Sequence, residues 1–106
     1  MTKAEITPGI CGFKAIVETR MDGSQCTVRI QSECKAIQRL AAELGKVDPL
    51  REISHRGEGP LTLQLAAKYC NHAACPVATG IIKAIEVEAG LALPADVSIR
   101  LSKAEE

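Results

Sequence analysis

Ala15-Ile16-Val17-Glu18-Thr19-Arg20-Met21-Asp22-Gly23-Ser24-Gln25-Cys26-Thr27-Val28-Arg29-Ile30 is the stretch that decides the fold. Apolar and polar residues alternate from Cys11 to Arg20 and again from Gln25 to Gln31, the period of a half-buried strand, and Asp22-Gly23 between them is a two-residue hairpin signal. With Asp22 and Gly23 as the central turn residues, opposed positions sum to 45. Val17 then faces Val28, Ala15 faces Ile30, and Phe13 shares their inward face. Extended to its open end, the same ladder sets Cys11 opposite Cys34.

Residues 1 to 9 read as a lead-in to this hairpin. After it, Ser32 is an N-cap for a first helix over Glu33 to Leu44, with Ile37, Leu40, Ala41 and Leu44 at helical spacing and Gly45 as its stop. Asp48-Pro49 caps a short turn of helix to Ile53, and Ser54 to Pro60, with Gly57 and Gly59, reads as a loop. Leu61 to Tyr69 reads as a helix, although Leu61, Leu63 and Leu65 also alternate. Cys75 as N-cap and Pro76 at the first helical position open a second long helix, whose apolar face of Ala78, Ile81, Ile82, Ile85 and Ala89 runs to Gly90. Val97, Ile99 and Leu101 alternate as a last strand. The expected fold is a single α+β domain over 1–106: a two-layer ββααβ-like sandwich whose three-stranded antiparallel sheet, in order 2-1-3, carries helices on one face.

Up-and-down counting from the hairpin places the start of the first strand, the start of the first helix and the turn from Cys70 to Cys75 at one end. Cys11, Cys34, Cys70 and Cys75 are thereby expected to converge, with His72 as an alternative ligand or a hydrogen-bonding neighbour, while Cys26 stays at the far end. Four thiolates suit zinc or an iron-sulfur cluster, and a cysteine followed by proline recurs among cluster ligands. A second class needs no metal. Cys34 and Cys75 open helices, where the end of the helix favours a thiolate, so either would carry a persulfide or exchange with a disulfide. Third, the small apolar thiols fill the interior of a structural or partner-binding domain with no bound metal.

The bulk composition narrows partners. Lys plus Arg and Asp plus Glu balance at 13 each and aromatics are 2%, which leaves neither the basic footprint nor the stacking platforms of a nucleic-acid binder. The opening Met1 to Glu5 lacks the apolar run of a signal peptide, and no segment approaches the roughly 18 apolar residues of a membrane span, so a cytoplasmic location with reduced thiols is expected. A core of Ile, Leu, Val and Ala nearly free of aromatics favours self-association as a homodimer. A sulfur- or electron-transfer protein is the partner that the cysteine set suggests. His55 reads as a solvated loop histidine, and Glu86 and Glu88 as the wet side of the last helix.

Cys75-Pro76 opening a helix is similar to the Cys-Pro motif of small sulfur-carrier proteins of the TusA type. That resemblance covers two residues and their helix, and implies a sulfur-carrying role for Cys75 alone. Taken whole, Cys11-Gly12-Phe13, Ser32-Glu33-Cys34, the Cys-x-His-x2-Cys-Pro run from Cys70 to Pro76 and the run from Ile85 to Pro94 resemble a small bacterial and archaeal domain family of unknown function. This likeness spans nearly the whole chain and implies no activity.

Overall fold

The computed structural model describes residues 1–104. Strands β1 (Thr2–Ile6), β2 (Ala15–Asp22), β3 (Gln25–Ser32) and β4 (Lys46–Val47) form one antiparallel sheet in the order β1-β2-β3-β4. Helices α1 (Lys35–Leu44), α2 (Pro49–Glu52), α3 (Leu61–Tyr69) and α4 (Val77–Glu88) complete the chain. The fold is α+β, as the alternation and the helical stripes imply.

The β2–β3 hairpin forms, with a different turn. Asp22 pairs with Gln25 and Val17 with Ile30, so opposed positions sum to 47 and not 45. Gly23 and Ser24 are the central residues. Gly23 has φ 63° and among the described residues no non-glycine has positive φ, the sign pattern of a turn that starts on glycine. The turn therefore puts the one residue that tolerates positive φ first, and the two-step shift leaves Ala15, Val17, Val28 and Ile30 on the inward face, whereas Phe13 lies ahead of β2 and is exposed. Ala4, Val17 and Ile30 line up across three strands, followed by Thr2, Thr19 and Val28.

Two further expectations are corrected. The sheet has four strands and not three: the lead-in 2–6 is itself a strand and takes the place beside β2 that the final strand is expected to fill, and the two-residue β4 adds to the outer side of β3. Val97 to Leu101 forms no strand: residues 91–104 are exposed throughout and carry no ladder. The pattern is strand-like, but the position it was assigned is already occupied.

One face of the sheet is buried, through Ala15, Val17, Cys26 and Val28, under Ile37, Leu40 and Leu44 of α1, Leu65 of α3 and Val77, Ile81, Ala84 and Ile85 of α4. α4 runs down that face. At its upper end Gly80 lies against Ile6 of β1, where a side chain would meet Ile6 Cγ1 at 2.7 Å. Midway, the buried Thr19 hydroxyl donates to the Ala84 carbonyl at 3.1 Å. At its lower end Glu88, far from being the wet side of the helix, accepts from the Thr2 hydroxyl at 2.8 Å and the Met21 amide at 3.1 Å. The axis of α4 is thus set by three contacts spread over the length of the sheet.

Candidate functional site: a groove bearing two thiols

α3 begins at a carboxylate supplied by another helix. Glu52, at the end of α2, is buried, and its two oxygens accept from the Leu61 and Thr62 amides at 2.9 Å each and from the Thr62 hydroxyl at 2.6 Å. Pro60 as N-cap has no side chain to offer these amides, so Glu52 does the capping from eight or more residues away. The carboxylate fixes where α3 starts and hence where it ends, at its C-cap Cys70, whose amide donates to the Ala66 carbonyl at 2.8 Å. Nothing in the local sequence marks Glu52 for this role, and it is missed by a reading that looks for caps beside the helix.

The loop from Asn71 to Pro76 turns through a Cys75 amide to His72 carbonyl bond of 3.1 Å. Pro76, rather than Cys75, is the N-cap of α4, so Cys75 lies one position ahead of the helix. Cys34 is the N-cap of α1 in place of Ser32, and its amide donates to the Ser32 hydroxyl at 3.2 Å.

Between α1, α3 and α4 lies a groove of about 410 Å³, walled by apolar side chains including Leu63, Ala66 and Ala78, with Cys70, His72 and Cys75 in its lining. A volume of that order suits a small ligand or a short peptide side chain. Cys70 and Cys75 are half-buried there, while His72 is exposed. Burial pushes the Cys70 thiol above its ordinary value, and its cysteine neighbours Cys75 and Cys34 push it the same way. Cys70 is therefore a neutral thiol at pH 7.

Of the four cysteines expected to meet, Cys34 and Cys75 each lie within electrostatic reach of Cys70. Cys11 does not join the strand ladder: it is exposed on the loop between β1 and β2, because β2 begins only at Ala15. Cys26 is wholly buried beside Met21 and Val47, and burial pushes its thiol up. Among the described residues, no three His, Cys, Asp or Glu side chains are arranged to hold a metal ion. His55 is exposed on its loop. No helix among the described residues is long and apolar enough to cross a membrane.

A family of unknown function, DUF6951, matches residues 2–101, and the chain belongs to it. No curated protein and no solved structure matches the chain.

Proposed function

We propose that this member of the family is a thiol protein that accepts sulfur on Cys75, within the groove between α1, α3 and α4. The observation that carries the reading is that two thiols and an imidazole line one small groove whose other walls are mainly apolar, with Asn71 and Thr79 the polar exceptions. Cys75 stands just ahead of the first turn of α4, whose free amides face incoming negative charge. Cys70 is the poorer nucleophile of the two, because burial and its neighbours keep it protonated.

In the transfer step the Cys75 sulfur bonds to the terminal sulfur of a donor persulfide. The donor's own sulfur-sulfur bond breaks, and the departing thiolate takes up the proton that Cys75 gives up. The products are a Cys75 persulfide and a donor thiol. A protonated Cys70 does not attack this persulfide, so the sulfur is kept for an acceptor rather than released as sulfide.

The test loads reduced protein from a low-molecular-weight persulfide and maps the added sulfur by mass spectrometry. Loading on Cys75, abolished by Cys75→Ser and retained in Cys11→Ser, is expected. Undiminished loading of the Cys75→Ser protein would refute the assignment.

Soft-metal binding is a second reading, favoured by the nearness of both Cys34 and Cys75 to Cys70. Binding zinc or a cluster would require the loop from Asn71 to Pro76 to move, and no chemistry is derived through it. Anaerobically prepared protein that carries stoichiometric zinc or iron, lost in Cys70→Ser, is the result that would favour it.

A further inference from the structure

The stretch Val97 to Leu101 keeps the alternation of a strand, yet Val97, Ile99 and Leu101 are 61%, 75% and 92% exposed and pair with nothing among the described residues. An unpaired edge exists to receive it. β1 is the outermost strand of the sheet, bonded on one side to β2 and open on the other. β1 has five residues, and so has the stretch from Val97 to Leu101. Open edges of this kind are templates for strand addition.

We propose that Val97 to Leu101 of each chain adds as a fifth strand to the open edge of β1 in a second copy, the two chains exchanging tails reciprocally to form a closed dimer.

Facing and charge select one register. Thr2, Ala4 and Ile6 point to the helix-covered face of the sheet and are half-buried, whereas Lys3 and Glu5 are exposed on the other face. For Val97, Ile99 and Leu101 to join the apolar face over the full five positions, two pairings exist. The antiparallel one sets Arg100 opposite Lys3, a like-charge pair. The parallel one sets Arg100 opposite Glu5, with Ile99 beside Ala4 and Leu101 beside Ile6, so the parallel register is the one the charges favour. The family match to residues 2–101 takes in both the edge and the tail and ends on the last apolar residue of the alternation.

A second copy is favoured over the chain's own edge because residues 91–104 are exposed along their whole length in the single chain. The molecule measures 53 × 28 × 27 Å, the elongation expected of a tail directed away from its own sheet. Reciprocal exchange satisfies both exposed features at once and closes the assembly with two-fold symmetry, which an open chain of additions would not.

Light scattering after size exclusion, on the reduced protein over a concentration series, reads the mass directly. Twice the chain mass of 11.3 kDa is expected. Ile99→Pro removes the strand and is expected to give a single-chain mass with the helical part of the circular dichroism spectrum unchanged, since the tail is not part of the core. Arg100→Glu and Glu5→Arg are each expected to weaken the dimer about tenfold or more, the charge pair occurring twice in a symmetric dimer, and the double exchange to restore it. A single-chain mass for the native sequence at every concentration overturns the proposal, as does a dimer that survives Ile99→Pro. Slow amide exchange at Val97 to Leu101 in a monomer would place the tail on its own sheet and overturn the exchange. Failure of the double exchange to rescue overturns the parallel register. None of these outcomes depends on sulfur chemistry at Cys75.

Discussion

Replacing Glu52 by alanine removes the acceptor for three donors at once, and burial decides how much each matters. Thr62 is wholly buried, so its amide loses its partner with no water to replace it, at a cost of about 2 kcal/mol. The Leu61 amide belongs to a half-buried residue and is partly rehydrated, which leaves about 1 kcal/mol. The Thr62 hydroxyl can rotate toward another acceptor and adds little. Glu52→Ala is thus expected to destabilise by about 3 kcal/mol. Glu52→Gln keeps one oxygen for Thr62 but turns an amide NH2 toward the Leu61 amide, and should cost about half as much. With a urea slope of about 1.5 kcal/mol per molar, the midpoint of Glu52→Ala falls by about 2 M. Because Cys70 closes the far end of the same helix, its alkylation in the folded protein should rise in step. A loss under about 0.5 kcal/mol in Glu52→Ala, with unchanged Cys70 reactivity, would refute the idea that this carboxylate holds α3 in place.

Four further outcomes follow from the packing and the charges. In residue-by-residue alkylation of reduced protein at pH 7, Cys26 should be the slowest of the five thiols and Cys75 faster than Cys70, measured by mass spectrometry; a fast Cys26 would contradict its complete burial. The Glu88 carboxyl is held below its ordinary value of 4.5, first by the Thr2 hydroxyl and then by the Met21 amide. Its stability contribution is therefore present above about pH 4.5 and lost as the pH falls further, so Glu88→Gln should lower the melting temperature at pH 7 and lose that disadvantage progressively below pH 4.5. Gly80→Ala should cost about 1 kcal/mol, as crowding against Ile6 outweighs the gain in helix propensity, and adding Ile6→Ala should cost less than the sum of the two, read from urea unfolding. Thr19→Val removes the buried hydroxyl that donates across to the Ala84 carbonyl and should cost about 1 kcal/mol in the same assay.

Legibility in the sequence tracked how local the determining contact is. The β2–β3 hairpin, α1, α3 and α4 each declare themselves by periodicity within ten or so residues, and the inward faces survive a turn displaced by one position because a two-step shift preserves the side of the sheet. β1 was not visible, since Thr2 to Ile6 becomes a strand only through pairing with β2 and through Gly80 lying on Ile6. The same occupancy explains why Val97 to Leu101, with the better strand pattern, does not lie beside β2. At the site, chain direction brought Cys34 and Cys75 near Cys70, whereas Cys11 was assigned by extending a ladder that stops at Ala15. Glu52 was beyond reach because its partners lie across a loop whose path no short-range rule supplies.

The anchoring of α4 to β1 bears on the order in which the domain can be made. Thr2 and Glu88 are 86 residues apart in sequence yet hydrogen-bonded, so a nascent chain emits the acceptor of that contact long after its donor. The β2–β3 hairpin and α1 can organise as they emerge, but the groove has no wall on the α4 side until nearly the entire chain has been synthesised. Closure of so distant a contact is entropically slow compared with forming a hairpin or a helix. The rate at which the native groove appears should accordingly be set by the docking of α4, and any chain stopped short of Glu88 would present an unlidded sheet to its surroundings.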